Sequence, residues 1–392
     1  MMMGTGPYVL GKWDKGKSIT LDANPNYWQT QPLWDGGPSG APKLKHVVID
    51  YISEWGTRFA MMTTGDADLL YVPNNFYAQI DPLVKDQCDG NDANCKTLNA
   101  KGFLRMSRDL PGVQQADIFL NQKVNTTGGS TYIGSGKLDG NGIPPTFFSN
   151  IHIRKAFAAC FDYDTFIKQT LNGEGIQPNG PINPGSLGYD PKAPAQKFSL
   201  DTCKAEFDAA SKDPGYDGLT TKGFYVIGVY NAGNTTRQAA LQILAANLKQ
   251  VNAKFTLSIL AEPFAVEIPD SNAGRLPLFV LGWLEDYHDS NDWAGPYLAT
   301  GGNYSGPQSF DPALQKQLDA LVNQGISTID QTARAKVYTQ LNAMAVDNAL
   351  DIFMSTATQR HYEQTWVKGW YYNPIYSGAP YAGYYYAYSK GQ

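Results

Sequence analysis

Residues 282–293, GWLEDYHDSNDW, place four carboxylates (Glu285, Asp286, Asp289, Asp292) among three aromatic side chains (Trp283, Tyr287, Trp293), directly after the apolar run LPLFVL. Three chemistries suit that mixture. A pair of acids across a sugar, flanked by rings, hydrolyses glycosides. Several oxygens on one loop hold a calcium ion. A single acid beside rings grips a cationic group of a ligand through a charge-assisted hydrogen bond. Glu285 and Asp286 are sequence neighbours and point to opposite faces if the strand continues, which argues against that pair as acid and base. The DxDxDG order of a calcium loop is missing. The plain expectation for Glu285, Asp289 and Asp292 is a set of solvated loop acids and helix N-caps.

Other chemistry finds little footing. Histidines stand at 46, 152, 288 and 361, none beside a Ser or Cys nucleophile. The GGS at 128–130 lacks the strand–nucleophile–helix context of a hydrolase elbow. No GxxxxGK[ST] or convincing GxGxxG occurs, and the GTG at 4–6 opens a hairpin instead of linking strand to helix. No CxxC spacing is present, so neither a structural zinc site nor any other metal or cofactor is implied. Cys88 and Cys95 flank a Gly/Asn/Asp loop in QCDGNDANC, and Cys160 and Cys203 lie on helix-like segments. The even count and the closable loop make all four disulfide candidates and point to an extracytoplasmic home, with four buried free thiols as the other reading.

Composition bounds the partners. The chain of 392 residues has a net charge of −5 and no basic run to follow a phosphate backbone, which argues against nucleic acid. No window approaches the roughly 18 apolar residues of a membrane span, and MMMGTGPYVL has neither a charged n-region nor a long apolar h-region. With 24 Tyr, 17 Phe and 8 Trp, rings exceed ordinary core needs and suggest a ring-lined groove or interface.

The elements that must position these residues follow from periodicity and punctuation. PYVLGKW, DKGK and SITLDANPNYW read as a hairpin, and KLKHVVIDYI as a strand. TRFAMMTTGD reads as a helix stopped by Gly65, before a strand in DADLLYV. Residues 122–148 read as a long loop, 150–173 as one helix capped by Gly173, 178–194 as an extended crossing, and 199–213 as a helix begun by Ser199. GFYVIGVYN, TRQAALQILAANLKQVNA and FTLSIL form a strand–helix–strand unit of the doubly wound type, which binds ligands at the carboxyl ends of its strands. LPLFVLGWLEDY is a further strand of that kind, so the acidic motif sits at such an end. Two helices follow at 309–325 and 332–348, then the strand LDIFM and an aromatic tail read as closing strands and a pocket wall. No solenoid repeat is present.

The motifs GTGPYVLGKW with NPNYW, TRFAMMTTGDADLLYVP, IRKAFAACFDYDTFI, GPINPGSLGYDP, YNAGNTTRQ, GWLEDYHDSNDW and YNPIYSG run in one order along almost the whole chain. In that order the chain resembles the substrate-binding proteins of ABC importers, in the oligopeptide- and dipeptide-binding family (solute-binding protein family 5). The resemblance implies an α/β, two-lobed periplasmic-binding-protein-like fold (type II, cluster C-like), with a mixed sheet in each lobe and a hinge. It implies that residues 1–112 plus 365–392 are the remaining part of lobe I and 113–364 the second lobe. A signal segment, a first segment of lobe I and an additional domain precede GTGPY in family members and are expected to be missing here. By the same resemblance the protein is not an enzyme. The resemblance implies a monomer in the periplasm or on the cell surface that closes on a peptide by hinge bending and delivers it to a membrane permease.

The family pattern GW-x-x-D-Y implies that Asp286 pairs with the α-ammonium group of the peptide. Gly282 and Trp283 would offer backbone groups to a ligand running alongside as an added strand, with Tyr287 and Asn231 nearby and Trp370, Tyr372 and Asn373 on the returning wall. Val280 and Thr236 stand where peptide binders can carry Arg or His, so a defined clamp for a peptide carboxylate is not evident. An oligosaccharide or other small-solute receptor of the same family is the neighbouring reading. A carbohydrate-active hydrolase using the acids at 285–292 is the reading from another class.

Overall fold

The computed structural model describes residues 4–90, 94–129, 131–373 and 382–391. In chain order it opens with β1 (Tyr8–Asp14), β2 (Ser18–Ala23) and β3 (His46–Asp50), which pair in that order as an antiparallel sheet. The helix Trp55–Thr64 ends on Gly65, whose φ of 82° is the left-handed C-cap conformation glycine adopts without strain. Then come β4 (Leu69–Leu70), β5 (Val84–Cys88), β6 (Cys95–Thr97) and the 17-residue β7 (Leu104–Leu120).

Beyond the long loop lie the helix Ile151–Cys160, β8 (Gly175–Ile176) and the helix Leu200–Ala210. The segment from β9 (Phe224–Asn231) through the helix Thr235–Val251 to β10 (Phe255–Glu262) is followed by the helix Phe264–Asn272 and β11 (Leu278–Leu284). Helices Asn291–Leu298, Pro312–Ser327 and Gln331–Asp347 lead to β12 (Asp351–Gln364), and β13 (Val367–Lys368) pairs with β14 (Ser389–Lys390) at the end. Side-chain caps start the helices the sequence marks: Asn150, Ser199, Asn234, Asp311 and Asp330 each accept from first-turn N–H groups.

The chain divides into two compact units, residues 1–110 with 358–392 (unit 1) and residues 111–357 (unit 2). In unit 2, β10, β9 and β11 run parallel and β11 pairs antiparallel with β7. Alternate residues feed opposite faces, as the pleat requires. Ile118, Leu120, Leu278, Val280, Ile352 and Met354 join one buried cluster with Phe157, Phe207 and Leu244 of the helices on that side. Phe119, Phe279, Leu281 and Phe353 join the other, with Trp293, Tyr297 and Leu341. Helices thus cover both faces of a mixed sheet, which explains why these strands read as continuous apolar runs. In unit 1, Met62, Ile80, Val84, Leu104 and Met106 form one core, and Val47, Leu110, Val367, Trp370, Tyr385 and Tyr388 another.

Three sequence expectations need correction. The single helix at 150–173 breaks at Phe161, which is extended (φ −85°, ψ 121°) because the carboxylate of Asp162 turns back to cap the next turn, accepting from Thr165 N–H (2.9 Å) and Thr165 Oγ1–H (2.7 Å). The strand in DADLLYV shrinks to Leu69–Leu70, paired with Glu363 and Tyr362. The tail is not all strand: a helix spans Ala382–Ala387, and Tyr385 and Tyr388, three residues apart, enter the same core. Residues 374–378 of the YNPIYSG motif lie outside the described residues. The second passage between units falls after Ala357, inside β12. A boundary within a continuous strand leaves no mark in composition.

Disulfides join Cys88 to Cys95 and Cys160 to Cys203, with Cα–Cα distances of 4.0 and 5.3 Å. The first closes the turn between β5 and β6 over a separation of 7 residues. Its loss in a Cys88→Ser/Cys95→Ser variant is expected to lower the unfolding free energy by about 2 kcal/mol, the loop-closure value for so short a loop. Urea unfolding monitored by tryptophan fluorescence measures it.

Candidate functional site

The acidic motif leaves the carboxyl end of β11 in unit 2. β9 and β10 stay in register for eight residue pairs, to Asn231 and Glu262. β9 and β11 pair only at Gly228 with Leu278 and Val229 with Phe279, then part. The loop that follows β11 thus leaves the carboxyl end of its strand beside that of β9, the kind of position where doubly wound sheets hold ligands. Asn231 lies at the end of β9, its Oδ1 accepting from Arg237 Nη1 (2.8 Å) at the start of the next helix.

Backbone geometry at the end of β11 is largely committed. Glu285 N–H donates to the Val113 carbonyl (3.0 Å), so by alternation the backbone of Trp283 also faces β7 and that of Gly282 faces away from it. The outward carbonyl of Gly282 accepts from Tyr304 O–H (2.7 Å). Gly282 is required by close approach, since a Cβ there would stand 2.5 Å from the Gln115 carbonyl.

The four acids separate sharply. Glu285 is buried, with Oε1 2.9 Å from His288 Nδ1. Burial raises its pKa, and the neighbouring imidazole works against that rise. Asp292 is also buried, and its Oδ2 accepts from Asp286 N–H (2.7 Å) and from Trp283 Nε1–H (3.3 Å), while burial again raises its pKa. Asp289 forms a two-point ion pair with Arg334 (2.7 and 2.8 Å). Burial pushes its carboxyl up, but the guanidinium and the Asn291 N–H hold it below the usual range. The expectation that Glu285, Asp289 and Asp292 are solvated is thus overturned. Two are buried and all three are partnered, because the turn after β11 folds its acids back onto its own backbone and onto the helix Gln331–Asp347. Asp286 remains exposed, and its carboxylate has no hydrogen-bond or ion-pair partner among the described residues. Tyr287 is exposed beside it, its hydroxyl accepting from Asn291 Nδ2 (3.4 Å).

Arg334 clamps this loop from outside, its Nε–H also donating to the Gly325 carbonyl (2.7 Å). Arg334→Lys keeps the charge but loses the fork. We expect faster amide exchange over residues 286–290 with less than about 1 kcal/mol of lost global stability, since the pair is partly exposed.

Sequence reasoning missed several polar groups near this sheet end. Tyr304 stacks on Phe119 (4.0 Å between ring centroids) and meets Trp283 edge-on. Arg237 belongs to the quoted motif YNAGNTTRQ but follows Thr236, the position inspected for a cation. Glu267, in the helix after β10, is fully buried with neither carboxylate oxygen hydrogen-bonded among the described residues, and burial lifts its pKa to about 7. Nothing in its surroundings FAVEIPD announces a buried acid.

The candidates in unit 1 occupy a different setting. Trp370 is buried and stacks face to face on His361 (4.0 Å). Tyr372 is half-buried, its N–H donating to the Gly90 carbonyl (2.6 Å), and Asn373 follows it, also half-buried. Val280 is a buried core residue of unit 2. Among the described residues no group of three or more His, Cys, Asp or Glu side chains could hold a metal ion, and no helix is long and apolar enough to cross a membrane.

A mixed α/β architecture whose chain passes twice between two units is that of the periplasmic binding proteins. The chain belongs to the bacterial extracellular solute-binding proteins, family 5, whose middle-region model matches residues 1–305. Its relatives include the probable D,D-dipeptide-binding periplasmic protein DdpA of Escherichia coli, 22% identical over 377 residues, 95% of this chain and 60% of the relative. Heme-binding protein A of Haemophilus influenzae is 22% identical over 351 residues, 88% of this chain and 53% of the relative. The oligopeptide-binding protein AppA of Bacillus subtilis is 22% identical over 347 residues, 86% of this chain and 54% of the relative. Its structure in complex with a nonapeptide matches the fold with a TM-score of 0.62 at 17% identity, covering 99% of this chain and 66% of that one. The chain thus spans between 53% and 60% of the length of these curated relatives.

Proposed function

We propose that this chain is the ligand-gripping part of an extracytoplasmic solute receptor of an ABC importer, that its ligand is a peptide, and that Asp286 holds the peptide's ammonium group. One observation carries the reading. Of four acids in one turn at the carboxyl end of β11, three are neutralised or capped from within and Asp286 alone presents a carboxylate without a partner among the described residues. An ammonium group desolvated against it gains a charge-assisted hydrogen bond. Trp283 and Tyr287 flank it with ring surface, and Asn231 lies at the neighbouring strand end. The names of DdpA and AppA support a peptide, and two disulfides support an oxidising compartment.

The mechanism is binding, closure and handover to a permease, with no bond broken. The acids a hydrolase would need are the ones tied up by His288, Arg334 and the Asp286 amide. Calorimetry of the chain with a peptide mixture, and separately with oligosaccharides, tests the ligand class, followed by mass spectrometry of the recovered ligands. Heat with peptides and intact recovered peptides are expected. Heat with oligosaccharides alone, or cleaved products, would overturn the reading.

A further inference from the structure

The bond from Glu285 N–H to the Val113 carbonyl (3.0 Å) is the last that ties the end of β11 to β7, and the chain then leaves the sheet. The next backbone N–H, that of Asp286, turns to Asp292 Oδ2 (2.7 Å). The same oxygen accepts from Trp283 Nε1–H (3.3 Å). One carboxylate oxygen therefore joins the last turn of the strand to the first residue beyond it. Trp283 is held on a second side by the ring of Tyr304, edge-on at 6.1 Å between centroids, and Tyr304 is itself bonded to the Gly282 carbonyl.

Asp292 stands on firmer ground than the residue it holds. It is buried, and it lies in the first turn of the helix Asn291–Leu298, whose unpaired N–H groups favour a negative charge. Its own N–H donates to the Asp289 carbonyl (2.9 Å), and Trp293 and Tyr297 of the same helix are wholly buried in the core of unit 2. Asp286 is exposed on the turn. Burial and the nearby Asp286 charge raise the Asp292 pKa, while the Asp286, Trp283 and Tyr287 N–H groups pull it down. Two carboxylates repel one another, so the hydrogen bonds, and not charge, keep this pair together.

A charge-assisted bond to a ligand weakens steeply as distance and angle depart from the optimum. An aspartate side chain is short, so its carboxylate goes where its backbone sends it. Without Asp292, the Asp286 amide would turn to water and the anchor would ride on a turn with no bond back to the strand end. We propose that Asp292 is a positioning residue of the ammonium site: through one oxygen it fixes the Asp286 backbone and the Trp283 ring, so that anchor and ring wall meet the ligand at a set spacing. The proposal rests on the reading of Asp286 as the ammonium anchor. It is separate from the outer clamp, in which Arg334 holds the turn through Asp289.

Two measurements test it. The first needs no variant: in residue-resolved amide exchange of the ligand-free chain, the Asp286 amide is expected to be protected at least about tenfold more than the amide of His288, which has no acceptor among the described residues. The second is calorimetry of the unsubstituted chain, Asp292→Ala and Asp292→Asn with the tightest-binding peptide of the mixture, as free amine and as its N-acetyl derivative. The ratio of the two dissociation constants is the readout. Asp292→Ala is expected to cut the preference for the free amine about tenfold. Asp292→Asn, which keeps an accepting oxygen on the same stem, is expected to restore most of it. A loss of packing alone would weaken both peptides alike and leave the ratio unmoved. An unchanged ratio in Asp292→Ala, a loss in Asp292→Asn as large as in Asp292→Ala, or an Asp286 amide no better protected than that of His288 would each overturn the proposal and leave Asp286 as anchor. No preference for the free amine in the unsubstituted chain would overturn the anchor itself, and the proposal with it.

Discussion

Glu363→Ala is expected to lower the unfolding free energy by about 3–5 kcal/mol, the usual consequence of leaving a buried charge without its partner. In unit 1 the side chains of Arg105 and Glu363 are 7% and 1% exposed. Arg105 Nε–H donates to Glu363 Oε1 (2.7 Å), and Nη2 reaches the same oxygen and the Val367 carbonyl. The other carboxylate oxygen, Oε2, lies 2.9 Å from His361 Nε2, and His361 stacks on Trp370. One carboxylate therefore orients a guanidinium, an imidazole and, through it, a core tryptophan. Removing it strands the guanidinium in a site that water does not reach. Replacing both members of the pair, as in Arg105→Met/Glu363→Leu, should recover most of the loss, because apolar groups of similar volume need no partner. Guanidinium chloride unfolding of the single and double variants decides the point. Equal stability of Glu363→Ala and the unsubstituted chain would contradict the pair's role.

In unit 2, Asp117 makes stability depend on pH. Its carboxylate is wholly buried and accepts from Tyr297 O–H (2.7 Å), Met354 N–H (3.1 Å) and Gln115 Nε2–H (3.1 Å). Burial pushes its pKa to about 7, against the pull of those donors. Asp351, also buried, is raised by burial and by the charge of Asp117. A carboxyl whose folded pKa exceeds its unfolded value binds more protons in the folded state between those values. Its contribution is then neutral below the unfolded pKa, and it destabilises progressively as pH rises through the folded pKa. From about pH 4 to pH 7, the Asp117 contribution should fall by about 4 kcal/mol. Asp117→Asn should remove that slope, so the two proteins should diverge with pH in chemical unfolding. Asp117→Ala should instead lose about 3–5 kcal/mol at acidic pH, because it leaves up to three buried donors unsatisfied at roughly 1–3 kcal/mol each. Parallel pH profiles for Asp117→Asn and the unsubstituted chain would contradict the assignment.

Much of the local structure was legible because its causes are local. The hairpin at Gly16, the stop at Gly65 and the cap at Ser199 each rest on one residue's conformational or hydrogen-bonding preference. The strand–helix–strand order from Phe224 to Glu262 was legible for the same reason. What escaped was set by partners distant in sequence. The helix at 150–173 kept its apolar period across Phe161, and only the capping choice of Asp162 broke it. The acids expected to be solvated proved to be partnered, two of them buried, because Arg334, 45 residues on from Asp289, the imidazole of His288 and the turn's own amides claimed them. Tyr304 and Arg237 reach the sheet end from loop and helix positions that carry no strand-end signature. Asp286 was reached through the family pattern, and the structure adds the reason it differs from its neighbours: its carboxylate is the one left without a partner among the described residues.

The most direct test is a thermodynamic cycle between Asp286→Asn and the ligand's terminus. The tightest-binding peptide of the mixture is titrated calorimetrically, with a free amine and as its N-acetyl derivative, into the unsubstituted chain and into Asp286→Asn. A charge-assisted bond of about 1.5–3 kcal/mol predicts that Asp286→Asn weakens the free-amine peptide about ten- to hundredfold. It also predicts that both proteins bind the acetylated peptide alike. Equal loss for the two peptides, or no loss for either, would contradict Asp286 as the ammonium anchor.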